Sequence, residues 1–462
     1  MLTEIVRSAG EQHLLPRPID SKSLSLMDFL GTSRHENLTL EQRFNEMNEF
    51  IEDGIRCHHY LYQRVSLDGS GPRIRLKDQY SDGIINTLNF ATNDYLNLTK
   101  HPDVVSAAAE ATKRYGVGAG SVPMLAGTTD LHKTLAERIS ALKGCEDALL
   151  FTSGFGMNYG VLSALLKKND LAILDCFVHA SILDGCKHTN SRMFRHNDLK
   201  SLERVLVKTQ GQYVNRIVVV DGVYSMDGDI APLREITEMA HCYGALVMVD
   251  DAHATGVIGV NGGGTPSHCG VQGQVDIVAG TFSKGLGAVG GFVAGSKLFI
   301  RYLSLACRAF MFSTAMPPAI AAAAIKSLDV MQSQPELHKK LWNNIRQFRD
   351  GLLSMKLNIG KAETAILPVI LGDDLMVKDV CYELHRRGIY VNPVFFPAVP
   401  KKLARLRFSI TNGFDGQDLS YALSVLEECL RGKGALDLEA DGKQWSVPVQ
   451  PSHDLVAELS GR

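Results

Sequence analysis

Between about residues 100 and 300, short apolar runs alternate with amphipathic stretches. The runs lie at 148–151, 171–174, 217–220, 246–249, 277–279 and 291–294. Each is too short for a buried helix and is bounded by turn residues, so each predicts a strand. Apolar residues at helical spacing predict helices over 131–142, 199–208 and 233–243. Strands and helices alternating at this spacing predict an α/β fold with a mostly parallel central sheet covered by helices. Ligands of such sheets bind beyond the carboxyl ends of the strands.

The flanks have a different texture. Residues 40–62 carry helical periodicity and much charge, and Asp68-Gly-Ser-Gly-Pro72 breaks the pattern. Residues 1–99 are therefore expected to form an N-terminal arm or cap, and 100–336 a large domain. A smaller C-terminal α/β domain is expected over 337–431, with strands at 365–371 and 405–411 and a helix at 377–387. Residues 432–462 read as a polar tail whose last ~15 residues are expected to be mobile. The most apolar stretch, 309–325, contains Pro317-Pro318 and falls short of a spanning length. It predicts a buried segment leading into an Ala-rich helix.

Bulk composition narrows the function classes. A chain of 462 residues is long enough for two or three compact domains. A formal net charge of −2 with interspersed charges gives no footprint for nucleic acid. The nine cysteines show no CxxC or other metal-ligand spacing, which points to reduced thiols and a cytoplasmic setting. No basic segment followed by a continuous apolar core opens the chain, so no signal peptide is expected.

The chemistry gathers at the expected strand ends. Lys284 sits in Gly280-Thr-Phe-Ser-Lys-Gly-Leu-Gly287, directly after an apolar run. A lysine there is partly desolvated, so its amine is a candidate nucleophile able to form a Schiff base with pyridoxal phosphate (PLP). Asp250 ends the run 246–249, where a carboxylate can face a pyridine nitrogen, and His253 follows within reach of the ring hydroxyl or a substrate. Ser153-Gly-Phe-Gly156 turns a strand into a helix, and with Gly154 and Phe155 offers backbone N–H groups to a phosphate. Thr281 adds a hydroxyl, with Ser283 as a second one. His179, after the run 171–174, is placed to lie on a planar ring, and Ser225 to donate to the cofactor hydroxyl. Each motif alone also fits an ordinary strand end, turn or structural histidine. Their joint occurrence at successive strand ends, in an order one sheet can satisfy, points to a PLP site. Gly116-Val-Gly-Ala-Gly120 follows a predicted helix rather than a strand, and so reads as a turn, not a dinucleotide fingerprint.

At these residues the chain resembles the α-oxoamine synthases, a family of PLP-dependent acyltransferases. The resemblance runs from about Asn89 to Leu430. It rests on Thr92-Asn-Asp-Tyr-Leu96, Leu125-Ala-Gly-Thr-Thr-Asp-Leu-His132, His196-Asn-Asp198, Val249-Asp-Asp-Ala-His-Ala-Thr-Gly256, Thr281-Phe-Ser-Lys284, Phe312-Ser-Thr-Ala-Met-Pro-Pro318 and Leu406-Arg-Phe-Ser409. It implies the fold-type-I, aspartate-aminotransferase-like architecture and a homodimer with active sites at the subunit interface. It implies Lys284 as the Schiff-base lysine, Asp250 as the ring-nitrogen partner and His179 as the stacking histidine. Ser225 and His253 match the hydroxyl-side groups, and Gly154, Phe155 and Thr281 the phosphate cradle. Ser313 and Thr314 match a segment that reaches the phosphate from the neighbouring subunit. Arg407 matches the arginine for the amino-acid carboxylate, and Asn93 a substrate-side asparagine. Three departures stand out: Ser121-Val-Pro-Met124 lacks a basic residue after the serine, Asn97 replaces a usual glycine, and Gly262-Gly-Gly264 lacks an intervening arginine.

The implied reaction is decarboxylative condensation of a small amino acid (serine, alanine or glycine) with an acyl thioester on coenzyme A or an acyl carrier protein. Phe310 to Pro318, Tyr390-Val-Asn-Pro-Val394 and Phe395-Phe-Pro-Ala-Val-Pro400 look closer to serine palmitoyltransferase-like members than to ligases using acetyl donors, which implies a medium or long acyl chain. Residues 394–399 read either as the lining of an acyl channel or as a buried strand-to-loop corner. Alternatives are an 8-amino-7-oxononanoate synthase-type enzyme, an aminotransferase or aldolase of the same fold, and a non-catalytic partner subunit. Lys284 argues against the last.

Overall fold

The computed structural model describes Phe29 and residues 37–433. The polar tail expected from residue 432 onward therefore lies almost wholly outside the described residues, as does the start of the arm. The chain forms two compact units, one comprising Met1–Gln63 with Gln79–Asp82 and the other Arg64–Asp78 with Gly83–Arg462.

In the first unit a helix runs over Leu40–Arg56. Thr39 starts it with a capping box: its hydroxyl accepts from the Gln42 N–H, and the Gln42 side chain accepts from the Thr39 N–H. Phe29 packs against Phe50 with ring centroids 4.8 Å apart. The Tyr60 carbonyl accepts from Tyr80 Oη at 2.6 Å and from Gln79 Nε2.

Among the described residues the second unit holds thirteen strands in three sheets. They are β1 (Arg73–Lys77), β2 (Ile84–Asn89), β3 (Asp147–Phe151), β4 (Leu171–Asp175), β5 (Asn190–Phe194), β6 (Arg216–Asp221), β7 (Leu246–Asp250), β8 (Ile277–Thr281), β9 (Gly291–Gly295), β10 (Ile366–Gly372), β11 (Ile389–Tyr390), β12 (Asn392–Val394) and β13 (Ala404–Ser409). The main sheet has seven strands in the order β3-β9-β8-β7-β6-β4-β5, with β9 antiparallel to both neighbours. All six predicted central strands are present, because each is buried along most of its length. β4, β6, β8 and β9 are buried at every residue, as strands covered by helices on both faces must be. One core cluster joins Met157, Val161 and Leu162 to Ala172, Leu174 and Val219, and another joins Ile173, Val218 and Val220 to Leu202, Leu206 and Ile236.

β5 has no counterpart among the predicted strands. It is the edge strand of the sheet, and Asn190, Ser191 and Arg192 face solvent. β1 and β2 form a hairpin within the stretch expected as an arm, and β11 extends their sheet in parallel. The C-terminal strands expected at 365–371 and 405–411 appear as β10 and β13, antiparallel to one another with β12 beside them. The apolar stretch 309–325 becomes a turn leading into the helix Pro318–Ser333. Among the described residues no helix is long and apolar enough to cross a membrane.

One of the departures noted in the sequence, Asn97, has a local explanation, and the turn at Gly262–Gly264 shows why its last glycine is required. Asn97 has φ +51°, a left-handed conformation that asparagine tolerates better than most side chains. Its turn is held by Asp94, whose carboxylate accepts from the Leu98 and Thr99 N–H groups at 2.9 and 3.1 Å. Gly264 has φ +89°, and a Cβ there would stand 1.6 Å from Asp251 Oδ2. That carboxylate is half of a fully buried ion pair: Lys143 Nζ lies 2.6 Å from Asp251 Oδ2, and also donates to Thr255 Oγ1 at 2.7 Å and the Gly263 carbonyl at 3.0 Å. The glycine-rich turn thus wraps around Lys143, which supplies the charge that Asp251 requires in a dry interior.

Candidate active site

Five parallel strands of the main sheet end on one cavity of about 210 Å³. Nine of the sequence-predicted residues line it: Gly154, Phe155, His179, Ser225, Asp250, His253, Thr281, Ser283 and Lys284. A larger groove of about 540 Å³, walled by segments that include Val257 and Trp342, contains none of them. Chemistry rather than size therefore identifies the site.

Lys284 follows β8. It retains some accessible surface, but its open side is the cavity itself. Burial pushes the amine down to about 8, with Arg407 adding to the effect and the Asp250 and Asp221 carboxylates opposing it. Roughly a tenth of the amine is then unprotonated and nucleophilic at pH 7, far more than for a lysine at its ordinary value. Asp250 ends β7 and is 6% exposed. Its Oδ1 accepts from the Ala252 N–H at 3.1 Å and its Oδ2 from Asn158 Nδ2 at 2.6 Å. Asp251, next in sequence, turns away to Lys143.

His179 caps the short helix Ala180–Gly185 after β4. Its ring meets Phe155 edge-on, with centroids 6.4 Å apart. Burial lowers its affinity for a second proton, Asp250 partly opposes this, and Lys284 reinforces it. His253 is held by Tyr95, whose hydroxyl is 2.8 Å from Nδ1. Burial drives its pKa well below the ordinary value, and Lys284 and Arg407, with any charge on His179, act in the same direction. Both imidazoles are thus neutral over the physiological range.

The cradle at the helix Gly154–Leu165 is tight. Ser153 caps it by accepting from the Gly156 N–H at 3.0 Å, and a Cβ on Gly154 would stand 3.3 Å from Thr281 Cβ. The Thr281 hydroxyl donates to the Gly290 carbonyl at 2.6 Å and lies 2.9 Å from Ser283 Oγ. With the proton of Thr281 committed to Gly290, Ser283 is left as the freer donor beside the cradle.

Four predicted residues stand outside the lining. Arg407, on β13, donates from Nε to the Ser225 carbonyl at 2.5 Å, from Nη1 to Ser409 Oγ at 3.1 Å and from Nη2 to Asn93 Oδ1 at 3.2 Å. Tyr95 Oη lies 3.4 Å from that same Asn93 oxygen. Arg407 and Asn93 therefore form a layer directly behind Ser225 and His253. Ser313 and Thr314 follow the short helix Arg308–Met311 and lie apart from the cavity of their own chain.

Two lining residues with polar side chains were not among the predicted ones. Asp221 ends β6 beside Asp250 on β7, and its Oδ1 accepts the His179 N–H at 3.3 Å. Burial, reinforced by Asp250, raises its pKa well above the carboxylate range. The strand-end rule that picked Asp250 applies equally to it. Asn158 is 2% exposed within an apolar helix, and a buried amide in such a setting was the available signal. Behind these strand ends His196 sits 3.1 Å from Asp175 and 2.8 Å from Asp229. Burial disfavours its charge, but the two carboxylates outweigh it and push the ring up to about 10.

These residues fit PLP. A desolvated amine, a strand-end carboxylate, a flanking imidazole and a glycine helix start with little space for a side chain converge on a cavity of suitable size. The comparisons agree. Residues 85–426 match the model of the aminotransferase class I and II family. The 8-amino-7-oxononanoate synthase 1 of Bacillus subtilis is 44% identical over 360 residues, covering 78% of this chain and 90% of that protein. The 8-amino-7-oxononanoate synthase of Symbiobacterium thermophilum is 40% identical over 351 residues, covering 76% and 90%. Among solved structures, a serine palmitoyltransferase from S. paucimobilis with bound PLP superposes with a TM-score of 0.81 at 31% identity, covering 86% of this chain and all of that one. The 8-amino-7-oxononanoate synthase of Francisella tularensis gives 0.66 at 25% identity, covering 75% and 98%. The chain belongs to the aminotransferase class I and II family and, within it, is a PLP-dependent α-oxoamine synthase.

Proposed function

We propose that the enzyme condenses alanine with an acyl thioester, releasing carbon dioxide and free thiol and leaving an α-amino ketone. The observation that carries this reading is the Lys284 amine, pushed down to about 8 by burial, in one cavity with Asp250 and the Gly154 turn. The choice of alanine follows from the sequence relatives. In 8-amino-7-oxononanoate the amine sits on carbon 8 beside the ketone at carbon 7, so carbon 9 is a methyl group, as in alanine without its carboxylate. Serine is the second reading, favoured by the likeness to serine palmitoyltransferase structures.

Bound PLP supplies a carbonyl for amine capture and a ring that withdraws electrons from the amino-acid carbon. When PLP is bound, Asp250 would hold the ring nitrogen, and the Gly154 turn with Ser283 and Thr281 would hold the phosphate. Lys284 Nζ would take up the α-proton. His179 donates an N–H to the thioester oxygen as charge builds there. Arg407 receives the carboxylate by exchanging its Asn93 contact for it, a task suited to its planar fork. The enzyme acts as a homodimer in which Ser313 and Thr314 serve the neighbouring subunit's phosphate site. Exposed Leu298, Tyr302, Leu305 and Phe312 in the same region support such an interface. Nine free thiols support a cytoplasmic location.

The test is the visible spectrum of the PLP-loaded protein during titration with alanine, serine and glycine. Alanine is expected to shift the cofactor band at the lowest concentration. A shift with serine alone would replace the first reading by the second, and indifference to all three would overturn both.

A further inference from the structure

The chemistry of His179 depends on which ring nitrogen carries its proton. The surroundings of Nδ1 decide this. The backbone N–H of Ser181 is directed at Nδ1 from 3.3 Å, and a backbone N–H can only donate. Ser181 Oγ lies 2.7 Å from the same nitrogen. Behind it, Asn158 Nδ2 is 3.0 Å from Ser181 Oγ and 2.6 Å from Asp250 Oδ2.

An amide NH₂ group has two protons and no acceptor. Here one proton goes to the Asp250 carboxylate and the other to the serine oxygen. Turning the amide over would set Asn158 Oδ1 against Asp250 Oδ2, so the carboxylate fixes its orientation. The Ser181 hydroxyl therefore accepts from Asn158 and has its own proton left for Nδ1. Donation runs one way, from Asn158 to Ser181 to His179. The relay is dry, with Asn158 2% and Ser181 0% exposed. Asn158 Oδ1 is buried without a hydrogen-bond partner, so the amide is placed for its two donors at the expense of its acceptor.

We propose that Asn158 and Ser181 are positioning residues that lock His179 as the neutral Nε2–H tautomer, so that Nε2 is the donor offered to the reacting groups. This rests on the reading of His179 as a participant in the condensation. The same amide holds Asp250, so one side chain ties the ring-nitrogen partner to the histidine. A purely structural Asn158 would satisfy Asp250 and leave the kinetics indifferent to Ser181.

The test uses PLP-loaded enzyme labelled with ¹⁵N-histidine. Long-range proton–nitrogen correlation reports both ring nitrogens, and His179→Gln identifies the His179 signals. The expected pattern at neutral pH is a protonated Nε2 and an unprotonated Nδ1. A protonated Nδ1, alone or together with Nε2, overturns the proposal. Ser181→Ala and Asn158→Ala are each expected to lower kcat about tenfold while the amino-acid KM changes less than about twofold. Unchanged kcat in variants that load PLP normally also overturns it. The wild-type spectrum decides the tautomer even if neither variant loads the cofactor. It is also independent of turnover: an Nε2–H pattern in an enzyme that makes no α-amino ketone would refute the proposed function and leave the tautomer standing.

Discussion

Replacing Lys284 with alanine is expected to lower kcat by about 10⁴-fold and to abolish covalent attachment of PLP. Among the described residues no other amine lines the cavity to take its place. Absorbance after borohydride reduction and gel filtration measures attachment, and product formation measures turnover. The wild-type amine, pushed down to about 8, adds a pH signature. Only the neutral amine attacks a carbonyl, so capture of PLP by the apoprotein should accelerate as pH rises to about 8 and level off above it. A lysine at the ordinary value of 10.5 would go on accelerating far beyond that point. Retained attachment in the alanine variant would remove Lys284 from the mechanism.

Lys143→Ala is expected to cost about 3–5 kcal/mol of stability, because it strands the Asp251 carboxylate in a dry interior. Both side chains of the pair are 0% exposed, and Thr255 and the Gly263 carbonyl lose their donor with them. The urea midpoint of the PLP-loaded protein measures the loss. Adding Asp251→Asn to the variant is expected to recover part of it, since a neutral amide needs no counter-charge. PLP affinity should fall as well, because Asp250 precedes the unsettled carboxylate by one residue. A midpoint equal to that of the wild type would show that the pair contributes nothing to the folded state.

The two predictions concern residues that differ in how far the sequence exposes them. Lys284, Asp250 and His179 were legible because each follows an apolar run, and a parallel sheet presents its strand ends to ligands. Lys143 was not, because it occupies the last turn of an ordinary-looking helix, and its partner is 108 residues away. Asn158 was hidden in the same way: its role depends on Asp250 and Ser181, which come from other elements. Arg407 and Asn93 were reached only through the family resemblance, and the structure sets them one layer behind the cavity. The fold followed a similar division. Strands buried on both faces are unbroken apolar runs, whereas the edge strand β5 is held by its neighbour β4 and carries a polar face. Val394, Phe395 and Val399 are packed inside, as both readings of residues 394–399 would have them.

The central claim is that acyl transfer and decarboxylation are coupled on this site. The most direct measurement follows free thiol and carbon dioxide together after mixing the PLP-loaded enzyme with alanine and a medium-chain acyl-coenzyme A. Equal amounts of the two products, formed only when both substrates are present, are predicted. Consumption of the amino acid without thioester, or thiol release without carbon dioxide, would contradict the account.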